Sequence, residues 1–223
     1  DQYIPCIMPR VEFSIPIAGS DCRIGLWKMT ESEEELYAGV PELIRYRHVV
    51  CNMKSSARRL EFLCVRSLLM DMMGGMHEII HNSDGKPYLE CGKNISISHT
   101  RGYVAVILSD NSDVAIDIEY MDGRVCRIAD RFLRDDEKTD ETIEKLLSWC
   151  AKESLYKLYS QDKLVFHEMK ISGLCGLSDL DSGYFYIENL KRRHCVKMFF
   201  VANEAFVLTY AIEKVDKYSK NIV

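Results

Sequence analysis

Residues 95–120 read ISISHTRGYVAVILSDNSDVAIDIEY, and this stretch decides the fold class. It contains three short apolar runs rich in β-branched residues, at 95–98, 103–108 and 113–119. Polar turn sequences, Arg101-Gly102 and Ser109–Ser112, separate the runs. Runs of this length and composition are typical of strands, and short turns between them favour neighbours that run in opposite directions. The stretch therefore predicts an antiparallel meander in the middle of the chain.

Two long amphipathic patterns flank this stretch and predict helices. Lys54–Met73 carries apolar residues three and four apart and ends at Gly74-Gly75, and Asp136–Ser160 repeats the pattern. Ahead of the first pattern, Cys22–Met29 has the composition of a strand. The sequence that follows it, Thr30-Glu-Ser-Glu33, matches a capping box in which the threonine would cap a helix.

The remaining elements complete a repeated order of strand, helices and strands. Arg124–Phe132 is predicted to be a helix, and the last ten residues a polar tail. Further strands are predicted at Phe166–Ile171, Gly183–Leu190, Cys195–Val201 and Ala205–Ile212. We therefore expect an α+β fold of two similar halves, residues 1–110 and 111–223, each with a small antiparallel sheet packed on helices. The division has no Pro/Ser-rich linker, so the halves should pack tightly.

The composition excludes several classes of protein. The chain has 223 residues, of which 47% are hydrophobic and 28% charged, and these fractions exclude general disorder. Its formal net charge is −5, whereas a protein that binds long nucleic acid normally has a basic surface. The sequence contains no uninterrupted run of about 18 apolar residues, which a membrane-spanning helix would need. The nine cysteines form no Cys-x-x-Cys pair and lie mostly in apolar runs, so we expect reduced thiols in a cytoplasmic protein.

The third run of the middle stretch ends in two carboxylates two residues apart, where a core strand would have apolar side chains. In Ala115-Ile-Asp-Ile-Glu119, strand alternation places Asp117 and Glu119 on one face and the two isoleucines on the other. Neighbouring carboxylates repel each other, so a cation is expected between them, and oxygen ligands favour Mg²⁺ over Zn²⁺. The alternative is a solvated strand face with spaced charges.

A second candidate site lies on the predicted helix at 136–160, in Trp149-Cys-Ala-Lys-Glu-Ser-Leu-Tyr-Lys157. Glu153 follows the indole of Trp149 by one helical turn, so the helix face that carries it is not purely polar. A carboxylate in such a place suits a metal ligand or a general base. The alternative is a simple surface ion pair with Lys157, four residues further on.

Several cations and hydroxyls form a third, weaker candidate. In Ser96-Ile-Ser98-His99, at a predicted strand end before a glycine turn, the histidine could bind a phosphate or could satisfy only local backbone groups. Lys86 lies between a glycine and a proline. Arg58 and Arg59 lie on the first long helix, where an arginine is usually part of a solvated rim.

Four motifs occur in an order that resembles one family: Gly-Lys-Pro-Tyr at 85–88, Ser-Ile-Ser-His at 96–99, Ile-Asp-Ile-Glu at 116–119 and Trp-Cys-Ala-Lys-Glu-Ser-Leu-Tyr-Lys at 149–157. They resemble the 4′-phosphopantetheinyl transferase superfamily, of the surfactin-synthetase-activating (Sfp-like) type. The resemblance extends from the Trp27 strand to about Phe166. It implies the pseudo-dimeric fold of that family, with the metal site at the junction of the halves. It also implies transfer of the phosphopantetheine arm of coenzyme A to a serine of a carrier protein, with release of adenosine 3′,5′-bisphosphate.

The resemblance implies a role for each matching residue. Asp117, Glu119 and Glu153 would hold Mg²⁺, with Mn²⁺ as an alternative metal, against the coenzyme A pyrophosphate. Glu153 would also act as the general base on the carrier serine. Lys157 would contact the phosphates and stabilise the departing group. The other matches would bind or orient coenzyme A, His99 through its 3′-phosphate: Arg58 or Arg59, Lys86, Ser98, His99 and Lys152.

The implied partner is an acyl or peptidyl carrier protein of fatty-acid or secondary-metabolite biosynthesis, which is a small acidic helical bundle. Because the chain is itself acidic, attraction between the two would have to be local. Four arginines could form a basic face, or a solvated rim neutralised by the acidic residues at 135–137: Arg124, Arg127, Arg131 and Arg134. Two halves in one chain favour a monomer.

Two alternative functions stay open at this point. One is a non-catalytic module of the same fold that binds coenzyme A or a carrier protein. The other is a Mg²⁺-dependent nucleotide-binding protein of another fold, which would require the order of the four motifs to be coincidental.

Overall fold

Eleven strands form two antiparallel sheets in the part of the chain that this computed structural model describes, residues 10–14, 22–174 and 182–214. The first sheet consists of β1 (Arg10–Ser14), β2 (Arg23–Lys28), β3 (Ile79–His81), β4 (Pro87–Leu89), β5 (Asn94–Thr100) and β6 (Tyr103–Ser109). The second consists of β7 (Ser112–Tyr120), β8 (Met169–Ser172), β9 (Ser182–Asn189), β10 (His194–Ala202) and β11 (Phe206–Lys214). Across the sheets, the strand orders are β1-β2-β6-β5-β4-β3 and β7-β11-β10-β9-β8.

Two long helices accompany the sheets, one for each half. The α-helices are α1 (Glu33–Gly39), α2 (Arg47–Val50), α3 (Ser56–Met73), α4 (Ala129–Phe132) and α5 (Thr142–Leu158). Short 3₁₀ turns lie at Pro41–Tyr46, Gly123–Arg127, Asp135–Glu137, Ser160–Asp162 and Phe166–Glu168. None of these described helices is both long and apolar enough to cross a lipid bilayer. The two long helices predicted from periodicity are confirmed as α3 and α5.

The layers run in the order α3, first sheet, second sheet, α5. On β6, Val104 and Val106 pack in the core under α3, whereas Ala105 and Ile107 pack against the second sheet. Successive side chains of a strand point to opposite faces, so a strand buried on both faces must be apolar throughout. This explains the unbroken apolar run of β6. The expected α+β fold of two halves, each with an antiparallel sheet packed on helices, is confirmed.

The predicted three-strand meander is correct for β5 and β6 but wrong for β7. β5 and β6 pair in antiparallel register, from Asn94 opposite Ser109 to Thr100 opposite Tyr103. β7 pairs instead with β11, almost a hundred residues later in the sequence. The apolar pattern of a strand specifies which faces are buried and not which strand is its partner, so the sequence pattern could not separate the two arrangements.

Other predicted elements differ in their boundaries. The first helix is capped by Ser32 and not by Thr30, with the reciprocal partner Glu35 three residues on. The predicted helix at 124–132 is split at Ile128 into a 3₁₀ turn and α4. β1 was not predicted, and the predicted polar tail beyond Lys214 lies outside the described residues. Division of the chain at residue 110 stays a prediction.

Candidate active site

β7 presents the two predicted carboxylates on the face that turns to α5. Ala115, two residues before Asp117 on that face, is fully buried in the core beneath α5. Ile116 and Ile118 are buried between the two sheets, as the alternation predicted. Asp117 is only 5% exposed and Glu119 is half-buried. Strand geometry therefore holds both carboxylates at the border of the apolar contact between β7 and α5.

Asp117 has one satisfied oxygen and one free oxygen. Ser98 Oγ and Lys157 Nζ each donate a hydrogen bond to its Oδ1, both at 2.7 Å. Its Oδ2 is buried and accepts no hydrogen bond from any described residue. A buried carboxylate oxygen without a donor or a cation is unfavourable. This oxygen is therefore a suitable ligand for an added cation.

Glu119 is held by two donors that come from different elements. Trp149 Nε1 on α5 donates to Glu119 Oε1 at 3.0 Å, and Thr100 Oγ1 on β5 lies 3.4 Å from Oε2. Burial and, to a lesser degree, the charge of Asp117 raise the pKa of the Glu119 carboxyl, while the two hydrogen bonds oppose the shift. Trp149 and Thr100 were not among the residues predicted for the site. The alternation of Ser96, Ser98 and Thr100 was the signal that could have identified the threonine.

Glu153 completes the acidic group from the α5 side. Burial raises the pKa of its carboxyl, and the charges of Asp117 and Glu119 raise it further, while Lys157 opposes the shift. No hydrogen bond from another described residue reaches this carboxylate. A carboxylate with a raised pKa and free oxygens is suited to take up a proton or to bind a cation.

Lys157 joins the two halves at the site. Besides Asp117, its ammonium donates to the backbone oxygens of Ile116 at 2.9 Å and Ile97 at 3.3 Å, on β7 and β5. A lysine ammonium has three donors, and all three have acceptors here. A phosphate that binds directly to Lys157 would have to replace one of these acceptors.

The donor set fits Mg²⁺ better than a metal enclosed by protein ligands alone. Within residues 22–174 and 182–214, no three His, Cys, Asp or Glu side chains come close enough together to enclose a metal ion. Mg²⁺ usually binds one or two carboxylates and completes its octahedron with waters and substrate phosphates. The free Asp117 Oδ2 and the mutual repulsion among Asp117, Glu119 and Glu153 are consistent with such a partial site.

Lys152 has an environment that does not fit its predicted contact with coenzyme A. Its side chain is fully buried, and its ammonium pairs with Glu137 at 2.5 Å. It also donates to the backbone oxygens of Phe132 at 2.7 Å and Phe166 at 3.4 Å. Because Lys152 lies one residue before Glu153 on α5, its side chain leaves the helix about 100° away from the carboxylate. Its contacts are structural, between α5 and the chain on either side of it.

The two candidate arginines on α3 face different neighbours. Arg59 pairs with Glu33 at 2.6 Å and donates to the Met53 backbone oxygen, so its guanidinium is held against the start of α1. Arg58 is exposed and lies one turn before Glu61, whose Oε2 is 3.5 Å from His99 Nδ1. The helix phase therefore favours Arg58 as the arginine on the side of His99.

Lys86 lines a cavity of about 520 Å³ where the two halves meet. The cavity begins directly after Lys157, at Leu158 and Tyr159, and includes Asp113 on β7. Lys86 Nζ lies 3.5 Å from Asp113 Oδ1 and is partly exposed. The hydroxyl of Ser98, in contrast, is buried and already occupied by protein groups. Lys86 is thus open to a ligand and the Ser98 side chain is not.

The four arginines of the expected basic face do not share one helix. Arg124 pairs with Asp122, and Arg134 pairs with Asp136 at 3.0 Å. Arg127 and Arg131 are exposed and form no ion pair with the described residues. Of these four arginines, Arg127 and Arg131 are therefore the two whose positive charge is not neutralised by a described carboxylate.

Residues 113–211 match the family model of the 4′-phosphopantetheinyl transferase superfamily. The matched range runs from β7 into β11, so it contains Asp117, Glu119, Glu153 and Lys157, which we refer to together as the acidic site. It contains none of the predicted coenzyme A contacts in the first half. No curated protein matches the chain. The family match supports phosphopantetheine transfer in general, and with it a transferase that uses coenzyme A and a carrier protein.

Proposed function

We propose that this chain transfers the 4′-phosphopantetheine arm from coenzyme A to a serine of an apo acyl or peptidyl carrier protein. The reaction depends on Mg²⁺ and releases adenosine 3′,5′-bisphosphate. One observation carries the proposal: at the junction of the two halves Lys157 pairs with Asp117, and Glu119 and Glu153 lie near enough for their charges to interact with Asp117, inside the range that matches the transferase superfamily.

Glu153 is the general base in this proposal. Its carboxylate has a raised pKa and no hydrogen-bond donor among the described residues, so it can accept a proton directly or through a water. The carrier serine oxygen attacks the phosphorus that bears the pantetheine arm, and the bond from this phosphorus to the adenosine bisphosphate oxygen breaks. The serine proton passes to Glu153, and the departing phosphate keeps the electron pair of the broken bond.

Lys157 and the carboxylates organise charge around this exchange. Lys157 stays beside Asp117 and brings a positive charge to the pyrophosphate side of the site. When bound by one or two of the carboxylates of Asp117, Glu119 and Glu153, Mg²⁺ would supply further positive charge against the leaving phosphate. The hydrogen bonds from Trp149 and Thr100 keep Glu119 oriented toward the site.

Coenzyme A would lie along the junction of the two halves. Arg58 and His99 are proposed to bind nucleotide phosphate, since both are exposed on the same side of the first half. Lys86 is proposed as a further contact because it is partly exposed in a cavity that is also lined by Leu158 and Tyr159, the two residues that follow Lys157 in the sequence. Arg127 and Arg131 are proposed to attract the acidic carrier protein. A monomeric, cytoplasmic enzyme stays a prediction.

The test is the intact mass of an apo carrier protein after incubation with the chain, coenzyme A and Mg²⁺. Parallel samples contain EDTA, the Glu153→Gln variant, or the Glu34→Gln variant, which removes an exposed carboxylate of α1 as a matched control. We expect a gain of one phosphopantetheine mass that EDTA and Glu153→Gln abolish and Glu34→Gln leaves intact.

Both an acyl and a peptidyl carrier protein are used, because the site does not distinguish them. Binding of coenzyme A without transfer to either carrier would favour the non-catalytic binding module. Failure to bind coenzyme A at all would contradict the proposed function and the resemblance together.

A further inference from the structure

Alternate side chains of β5 are hydroxyls that bind the backbone of β7. Each accepts a hydrogen bond from one β7 amide: Ser96 from Ile116 N–H at 3.1 Å, Ser98 from Ile118 N–H at 3.3 Å and Thr100 from Tyr120 N–H at 3.1 Å. We refer to these three residues as the hydroxyl ladder. It fixes the register of the first sheet against the second, because a shift of one residue would turn every hydroxyl away.

Two members of the hydroxyl ladder also bind the acidic site. Ser98 Oγ donates its proton to Asp117 Oδ1 at 2.7 Å, and Thr100 Oγ1 donates toward Glu119 Oε2 at 3.4 Å. A hydroxyl has one proton, so each of these protons is committed to a carboxylate. Ser96 makes no hydrogen bond to a carboxylate among the described residues.

We infer that Ser98 and Thr100 are positioning residues, which hold Asp117 and Glu119 in the orientation that binds a divalent cation. The inference rests on the proposed function. With Oδ1 held by Ser98 and Lys157 together, the carboxylate of Asp117 keeps its other oxygen free. Without the Ser98 donor, the carboxylate can rotate and offer either oxygen to Lys157. The cation would then compete with Lys157 for the same oxygen.

The hydroxyl ladder supplies its own matched control. Ser96→Ala and Ser98→Ala each leave one β7 amide without its acceptor, and both residues are buried. Both variants should therefore lose the stability that this amide hydrogen bond contributes. Only Ser98→Ala also removes a donor from a carboxylate. The difference in Mg²⁺ affinity between the two variants therefore measures the effect of the lost carboxylate donor separately from the effect of weakening the contact between β5 and β7.

The experiment measures Mg²⁺ binding to the unreacted chain by calorimetry, alongside the Mg²⁺ concentration that gives half-maximal transfer. We expect Ser98→Ala to weaken Mg²⁺ binding about tenfold and Ser96→Ala to change it by less than about twofold, in line with the usual effect of losing a partner of a metal ligand. Thr100→Val should weaken it about threefold, because its bond is longer, and Thr100→Ser should restore most of the affinity.

Equal weakening by Ser96→Ala and Ser98→Ala would overturn the inference, since it would show a structural effect alone. Unchanged Mg²⁺ affinity in both Ser98→Ala and Thr100→Val would overturn it as well. If Ser98→Ala fails to fold, the comparison of Thr100→Val with Thr100→Ser decides the question. A wild-type chain that neither binds Mg²⁺ nor transfers the arm would overturn the proposed function itself, which separates that failure from one confined to the variants.

Discussion

Two lysines on α5, five residues apart, differ in burial, and their expected roles differ accordingly. Lys152 has an ammonium with no exposure to solvent and three protein acceptors, one of them the almost fully buried Glu137. Burial lowers the pKa of Lys152 and the ion pair with Glu137 opposes this shift, so the charge depends on its partner. Lys157 also has three acceptors, but its side chain is 29% exposed at the acidic site.

Replacement of Lys152 by methionine should destabilise the chain by about 3–5 kcal/mol, because Glu137 would be left buried without its partner. Urea unfolding measures the loss. Lys145→Met on the same helix removes an exposed ammonium and should change the free energy of unfolding by less than about 0.5 kcal/mol. The double variant Lys152→Met/Glu137→Leu should recover much of the loss. A Lys152→Met variant as stable as Lys145→Met would show that the buried pair contributes nothing.

Trp149 should report metal binding by its fluorescence. Its indole N–H donates to Glu119, so a cation bound by that carboxylate changes the electric field at the ring. We expect Mg²⁺ to shift the emission of a Trp27→Phe variant, in which Trp149 is the remaining tryptophan. Glu119→Gln in the same background should abolish the shift. An identical response to Mg²⁺ after that substitution would place the cation elsewhere.

The sequence predicted that Asp117 and Glu119 share one face of their strand but not what surrounds them. Strand alternation sufficed for Asp117 and Glu119, since both follow from the local pattern. The choice between Arg58 and Arg59 needed the helix phase of α3, and the burial of Lys152 needed the long-range contacts of its ammonium. Such contacts join segments that are far apart in the chain, and a local pattern carries no information on them.

At the scale of elements, β2 lies very close to α3 at Gly25. A Cβ atom added at Gly25 would lie 2.5 Å from Met72 Sδ and 2.7 Å from Leu68 Cδ1, both on α3. The neighbouring Ile24 and Leu26 point to the other face and pack against the second sheet. The glycine thus sets how near the helix can lie to the strand.

Gly25→Ala should therefore cost about 1–3 kcal/mol of stability through overpacking. Gly75→Ala is the matched control, because nothing lies within 4 Å of the added Cβ there and the residue does not need a positive φ. Thermal unfolding of both variants distinguishes them. If Gly25→Ala unfolds at the same temperature as the wild type, α3 can shift enough to accept the methyl group.

The differences between predicted and observed elements have local causes. Thr30 and Ser32 each precede a glutamate by three residues, so the sequence offers two capping boxes and the structure uses the second. The backbone N–H of Thr30 instead donates a hydrogen bond to the side-chain carboxylate of Glu31. The pairing of β7 with β11 is a contact of long sequence separation, which strand-like composition does not encode.

At the scale of the whole molecule, the core between the sheets belongs to both halves. It combines residues of β2 and β6 with residues of β7 and β11, including Ile24, Ile107, Ile116 and Leu208. Because this apolar surface is buried only when the halves are together, neither half is expected to be stable without the other. The two halves that meet near residue 110 would then be distinct in architecture but would not fold independently.

We therefore expect a single cooperative transition for the whole chain in calorimetry, with equal calorimetric and van't Hoff enthalpies. A fragment of residues 111–223 should show no sharp transition by itself and should regain one when the 1–110 fragment is added. Two separate transitions in the intact chain, or a sharp transition in either fragment alone, would contradict this expectation.

The hydroxyl ladder also affects how the chain behaves toward other copies of itself. β7 is an outer strand of its sheet, and an outer strand with free amides and carbonyls invites another chain to pair with it. Here three amides of that side are bound by the ladder, and the carbonyls of Ser112 and Ile116 are bound by Asn94 and Lys157. The groups that orient the carboxylates of the acidic site thus also prevent another chain from pairing with the edge of β7.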